Sequence, residues 1–366
     1  MFPVLALNDL TRDATSHYDL LNRFNLYAKH LSVLSTNNEV KLHLITKKLP
    51  THFDLKASNW PYLEIIQANN SSISYLSTLF RFIHRNKGSI SIIIAGSPWR
   101  DFLFVLPMKL FFRIPIQVSI HGEPYRGANN SPFSAMALKN IWLRIFLRYA
   151  DSIRAVSNHQ IAPISSRYKV KVSRIFTSPI PVEIPSISPT PKLKNTIAFV
   201  GRLHEERDPF LWLQIIHELY TLRQDFSAIV IGDGPLRHQV SDYLQKQLPN
   251  LDCSLVGSIS HPEVQRYWNR ISILLSTAPN ESFGLTLREA QLAGVMVIAR
   301  NNSGTTANSL EFGRSITLFD TSQEAVNAIV QALDNPKDEE DLPKIRLIQQ
   351  QINLKSLNNL VESWKA

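Results

Sequence analysis

Among 366 residues there is a single cysteine, Cys253. No internal disulfide can form and no multi-cysteine metal cluster can assemble, a usage that fits a reducing compartment. Long apolar runs are missing too. No stretch reaches the roughly 18 uncharged apolar residues that a spanning helix needs, and the most apolar region, 92–120, is broken by Arg100, Asp101, Lys109 and Arg113. The opening Met-Phe-Pro-Val-Leu-Ala-Leu-Asn has no basic leader, and its apolar run is short for a signal peptide. These absences set the expectation of a cytoplasmic protein, with the inner face of the membrane as a peripheral location. Acidic residues are scarce in the first half. Residues 1–190 hold 22 Lys/Arg against 10 Asp/Glu, a net of +12, whereas 191–366 hold 17 against 20, a net of −3. Beyond solubility, that asymmetry points the first half at an anionic partner such as acidic lipid headgroups or a lipid-linked phosphate. Nucleic acid is not expected, because no recognition motif or basic-aromatic repeat accompanies the charge.

What is present is an α/β pattern in two parts. Residues 178–191 carry five prolines in fourteen positions, which excludes a helix or a central strand and marks a linker. On either side, short apolar strands alternate with amphipathic helices, the signature of parallel sheets built from βαβ units. Strands are predicted at 4–7, 41–46, 91–95, 116–120 and 152–156 before the linker. After it they fall at 196–200, 227–231, 253–256, 273–275 and 295–299. Helices are predicted at about 18–34, 262–270, 285–292 and 342–366. In such sheets ligands bind beyond the carboxyl ends of the strands, so the loops there carry the interest.

Those loops hold the unusual residues. After strand 196–200 come Gly201, Arg202 and Arg207, with Asp208 and Pro209 reading as N-cap and first residue of a helix. Two guanidiniums before a helix N-terminus suit a diphosphate; taken alone, the same loop reads equally well as two solvated arginines. After strand 227–231 comes Gly232-Asp-Gly234-Pro, either a plain turn or a place where backbone approaches a ligand. Then Glu281 and Glu289 stand with seven residues between them, on either side of Ser282-Phe283-Gly284-Leu285. Glu281 falls on the loop and Glu289 in the second turn of the following helix, so both carboxylates can face one pocket at its N-terminus. Carboxylates accept hydrogen bonds from sugar and ribose hydroxyls, and helix N–H groups bind phosphate.

The ordered set, over about residues 196–300, resembles the retaining nucleotide-sugar glycosyltransferases of the GT-B fold, the glycosyl transferases group 1. The resemblance implies two Rossmann-like doubly wound domains facing a central cleft: an acceptor-side domain at 1–180, a linker at 181–195, a nucleotide-sugar domain at 196–345, and a last helix at 346–366 packing back on the first domain. It implies that Arg202 and Arg207 hold the donor diphosphate, beside backbone of Gly201, Gly232 and Gly234. Glu289 would bind ribose, Glu281 would face the donor sugar, and Phe283, Gly284 and Leu285 would add backbone contacts. His121, after strand 116–120, occupies the place of a histidine near the donor sugar. Ser157 falls at the tip of the domain's last strand, and Glu123, Tyr125 and Arg126 are guesses for acceptor contacts. No metal or cofactor is expected, since the arginines supply the charge.

Two departures stand out. The loop 8–16 lacks the glycine pair usual in relatives, and 303–307 reads Ser-Gly-Thr-Thr-Ala where relatives often have an acidic residue. The implied reaction moves a hexosyl group from a UDP- or GDP-linked sugar to an acceptor hydroxyl with retention, through front-face attack, in surface-polysaccharide or glycolipid synthesis. The partners are the donor, a saccharide or lipid-linked acceptor, and an anionic membrane surface met by the basic half, for which Phe102–Arg113 is the candidate segment unless it forms a buried helix. The rivals are an isomerase resembling nucleotide-sugar 2-epimerases and a non-catalytic scaffold subunit.

Overall fold

The computed structural model describes residues 4–7, 16–34, 42–47, 60–69, 71–122, 135–185, 195–335 and 341–365. The chain divides into two compact units, Met1–Pro181 with Leu354–Ala366, and Val182–Asn353.

In the first unit the order is β1 (Val4–Leu7), α1 (Ser16–Leu34), β2 (Leu42–Lys47), β3 (Leu63–Ala68), α2 (Ser72–Asn86), β4 (Ile92–Ala95), α3 (Arg100–Phe112), β5 (Ile116–Ile120), α4 (Ala135–Phe146), β6 (Ser152–Ala155), α5 (Ile161–Tyr168) and β7 (Ile175–Thr177). Every pairing is parallel, in the order β3-β2-β1-β4-β5-β6-β7. Helices cover both faces of such a sheet, so its central strands are apolar on both sides. All four residues of β4 and all five of β5 are buried. The edge strands β3 and β7 were not anticipated. The Phe102–Arg113 segment is a helix with one buried side: Phe102, Val105 and Met108 are buried, while Leu103, Leu110 and Phe111 are exposed.

The second unit runs β8 (Thr196–Val200), α6 (Pro209–Leu222), β9 (Ser227–Ile231), α7 (Arg237–Gln247), β10 (Cys253–Gly257), α8 (His261–Tyr267), β11 (Ile273–Ser276), α9 (Leu285–Leu292), β12 (Met296–Arg300), α10 (Ser303–Phe312), β13 (Ile316–Phe319) and α11 (Ser322–Asp334). Its sheet is again parallel, ordered β10-β9-β8-β11-β12-β13. Two apolar clusters sandwich it, one under α6, α7 and α11 with Trp212 at its centre, the other around Trp268 and α9. Asp208 caps α6, its carboxylate accepting from the Leu211 N–H at 3.2 Å, and Pro209 opens the helix. The predicted boundaries of α9 hold to the residue.

The last helix, α12 (Leu342–Lys365), starts in the second unit and ends in the first. Its end is fixed inside the first unit by Gln117 of β5, which is fully buried. The Gln117 amide donates to Ser363 Oγ at 3.0 Å and accepts from the Trp364 indole N–H at 3.2 Å. Leu360, Val361 and Trp364 lie in one core with Leu42, Leu44, Ile92 and Ile94. Trp364→Ala removes this aromatic and leaves a buried amide acceptor unmade. The expected loss is about 3–5 kcal/mol in the unfolding of the first unit, measured by urea titration; an unchanged midpoint would show that the helix end is not anchored.

Candidate functional site

In the second unit the strand order reverses between β8 and β11. The connections after these two neighbours run to opposite sides, which opens a crevice at their carboxyl ends. Arg207 ends a short 3-10 turn after β8, and Glu281 lies on the loop after β11. The Arg207 guanidinium meets Glu281 Oε2 at 2.5 Å, and the two share a small cavity with Ser276, Thr277 and Thr286. Thr277 Oγ1 donates to the carbonyls of Arg207 and Asp208 at 3.0 and 2.8 Å, tying the two loops together. Arg202 is exposed on the same loop as Arg207.

Gly232 and Gly234 serve the β8 loop first. A Cβ on Gly232 would stand 1.9 Å from the Gly201 carbonyl oxygen, and one on Gly234 2.3 Å from that of Leu203. The Leu203 N–H donates to the Asp233 carbonyl at 2.9 Å in the same seam. These glycines let one loop backbone press on another, which in turn sets where Arg207 begins.

Glu281 is held from its other side by Asn302, which sequence reasoning missed. The Asn302 side-chain oxygen accepts from the N–H groups of Glu281, Gly304 and Thr305 at 3.3, 3.1 and 3.1 Å. Gly304 is needed because a Cβ there would lie 1.9 Å from the Glu281 carbonyl oxygen. The departure at 303–307 therefore keeps one glycine for a backbone contact.

Gly284, at φ +72°, turns the chain into α9. Residues Leu287 to Leu292 of that helix are buried throughout. Two of them are charged. Glu289 Oε1 lies 2.9 Å from His261 Nε2, at the start of α8. That contact occupies one carboxylate oxygen and leaves Oε2 for a further donor. Arg288, beside it, stacks on Phe283 and Phe312 at 4.2 and 4.8 Å and donates to the Phe283 carbonyl at 3.1 Å. It also pairs with Glu311. Burial pulls its guanidinium pKa down while Glu311 pulls it up. Phe283, Gly284 and Leu285 are thus shaped by a buried cation that a charged letter in a short helix does not announce. His261 was likewise missed, since a histidine at a helix start reads as a surface residue.

His121 stands in the first unit, at the end of β5. Buried Gln160 ties its loop to the next. The Gln160 amide donates to the Gly122 carbonyl at 3.0 Å and accepts from the Val156 and Ser157 N–H groups at 3.0 and 3.3 Å. The imidazole pKa is lowered to about 3, by loss of surrounding water first and then by the charges of Arg154 and Arg23. The residue keeps exposed surface while the two cations act on it. Ser157 Oγ is 2.8 Å from His159 Nδ1. Residues 8–15, with the glycine-free loop, and Glu123, Tyr125 and Arg126 lie outside the described residues. Burial, then Asp252, pushes the Cys253 thiol up to about 12.

Residues 183–345 match the family model Glycosyl transferases group 1. The chain is 32% identical over 111 residues to the 2-deoxystreptamine N-acetyl-D-glucosaminyltransferase of Niallia circulans, covering 30% of this chain and 28% of that enzyme. It is 24% identical over 138 residues to the alpha-monoglucosyldiacylglycerol synthase of Acholeplasma laidlawii, covering 38% and 34%. The matched stretches thus span about a third or less of these relatives. Among solved structures, Anabaena Alr3699/HepE in complex with UDP-glucose superposes with a TM-score of 0.69 at 14% identity, over 100% of this chain and 97% of that one. The fold is the GT-B fold.

Two outcomes are expected from this geometry. Gly304→Ala forces a Cβ into the Glu281 carbonyl and lowers stability by about 1–3 kcal/mol, read as a fall in Tm; an unaltered Tm would show that the contact yields freely. The pH effect of His121 has a definite sign. Its folded pKa lies below the ordinary 6.5, so just below that pH the unfolded chain binds the extra proton. Stability attributable to His121 is full above 6.5 and falls as the pH drops below it. His121→Asn flattens that part of the urea-midpoint profile, and an identical profile in the variant would contradict the assignment.

Proposed function

From the match of residues 183–345 to the glycosyl transferases group 1, we propose that the protein is a retaining glycosyltransferase. It moves a hexosyl group from a nucleoside diphosphate sugar to an acceptor hydroxyl in the synthesis of a surface polysaccharide or glycolipid. The observation that carries this reading is the Arg207–Glu281 pair at the strand-order reversal, with Glu289 in the adjoining helix α9. A cation paired with one carboxylate, and a second carboxylate on the helix that follows, suit a ligand that is anionic at one end and rich in hydroxyls at the other.

The roles follow from the contacts. A diphosphate competes with Glu281 for the Arg207 guanidinium, and exposed Arg202 adds a second cation. Glu281, released from Arg207, accepts from sugar hydroxyls. Glu289, one oxygen held by His261, offers the other to the ribose. In the transfer the bond from the anomeric carbon to the diphosphate oxygen breaks and a bond to the acceptor oxygen forms. The acceptor proton passes to the departing phosphate, whose growing charge the arginines neutralise. The first unit takes the acceptor side, and its neutral His121 exchanges hydrogen bonds with hydroxyls without bringing charge. Support for the donor class comes from the UDP-glucose in the Anabaena structure, and for saccharide or lipid-linked acceptors from the names of the two sequence relatives.

A thermal-shift panel of UDP, GDP and their glucose and mannose conjugates tests the reading. One base is expected to raise Tm. Arg207→Ala should weaken binding roughly 10- to 100-fold, the size of a lost charge-assisted hydrogen bond, and Glu289→Ala should abolish the shift at the same ligand concentration. Stabilisation by none of them would favour the scaffold reading. A shift that survives both substitutions would place the nucleotide elsewhere.

A further inference from the structure

The first unit presents an apolar face for which its own core has no use. Helix α3 buries Phe102, Val105 and Met108 and turns Leu103, Pro107, Leu110 and Phe111 outward, at helical spacings of four, seven and eight. Leu110 and Phe111 are 75% and 78% exposed. Helix α4 repeats the arrangement. Leu143 is fully buried, whereas Leu138, Ile141 and Ile145 stand at 58%, 54% and 43%. The helices are neighbours, since the Phe102 and Trp142 rings meet edge to face at 5.5 Å. At their far ends Lys109 donates to the Tyr149 carbonyl at 2.8 Å.

Charge decides the occupant. Between residues 69 and 150 the chain has ten Lys/Arg and two Asp/Glu. Asp101, the one acidic residue on α2, α3 and α4, is buried. Exposed Arg113, Lys139, Arg144 and Arg148 flank the apolar side chains. On α2, joined to α3 through Phe80 and Phe112 at 5.5 Å, Arg81, Arg85 and Lys87 extend the charge. A second copy of the chain would set this cationic face against itself. Apolar side chains of several shapes with cations around them, Asp151 at their edge being paired with Lys109, match an interface that is apolar inside, anionic at its surface and deformable.

We propose that the exposed face of α3 and α4 docks the protein on an anionic lipid bilayer. Leu110, Phe111, Leu138, Ile141 and Ile145 enter the headgroup–acyl boundary, and Arg113, Lys139, Arg144 and Arg148 pair with lipid phosphates. The proposal is independent of the transfer reading, because the face lies outside the residues assigned to the nucleotide sugar. No helix among the described residues is long and apolar enough to cross a membrane, so docking is reversible.

The test is co-sedimentation with vesicles of phosphatidylcholine alone or rich in phosphatidylglycerol, for wild type, Leu110→Ser/Phe111→Ser and Arg144→Glu/Arg148→Glu. All substituted side chains are exposed, and circular dichroism checks that each variant folds. Wild type is expected to sediment with the anionic vesicles and not the neutral ones, and to be released by high salt. Each cation at the surface contributes roughly fivefold to partitioning, so the double reversal loses well over tenfold, and the serine pair loses binding without changing its salt dependence. Wild type left in the supernatant with anionic vesicles overturns the proposal, as does undiminished binding of both variants. A dimer in size-exclusion chromatography that Leu110→Ser/Phe111→Ser dissolves, with no vesicle binding, overturns it in favour of self-association.

Discussion

Glu281 hangs between a backbone contact that no side chain would permit and a hydrogen bond to a helix-capping asparagine. Its carbonyl touches the place where a Cβ on Gly304 would sit, and its N–H ends on Asn302, which also caps α10. On the facing loop, Gly232 and Gly234 admit the carbonyls of Gly201 and Leu203 at distances that exclude a Cβ. These close approaches set the loop after β8 against that after β9, and the loop after β11 against the start of α10; Thr277, donating to the Arg207 and Asp208 carbonyls, then joins the loops after β8 and β11 where the strand order reverses. Without the glycines each loop would lose the neighbour that shapes it, and a cation and a carboxylate left as separate surface charges would be of little consequence.

A second layer of support comes from buried polar groups that are satisfied locally. Arg288 stacks between two rings and pairs with Glu311 under the Phe283 turn, and Glu289 has His261. Such groups are costly when left unpaired, so their partners fix them to single arrangements. The first unit uses the same device without a carboxylate. Buried Arg154 donates to the carbonyls of Ser178 and Pro179 and to Tyr27 Oη, fixing the chain as it leaves the unit.

The sequence made the α/β pattern plain because parallel sheets bury both faces of their central strands, as the largely apolar runs 92–95, 116–120 and 227–231 show. The edge strands were harder. Leu63–Ala68 carries Glu64 and Gln67, and Ile175–Thr177 is three residues long, so neither has the apolar density of a central strand. At the site, Arg207, Glu281 and Glu289 were legible because glycines and a helix start surround them. Asn302, Arg288 and His261 were not, because their roles depend on partners distant in sequence: Asn302 answers Glu281, Arg288 answers Glu311 and Phe312, and His261 answers Glu289. Gly232 and Gly234 were legible as places of close approach, but what approaches first is the protein's own backbone.

The central claim is that Arg207 exchanges a protein carboxylate for a ligand diphosphate. A crystal structure with the nucleoside diphosphate that stabilises the protein most would test it directly. The account predicts the diphosphate on Arg207, Glu281 released from it, and the ribose on the Glu289 oxygen opposite His261. An intact Arg207–Glu281 pair with the nucleotide bound elsewhere would contradict it.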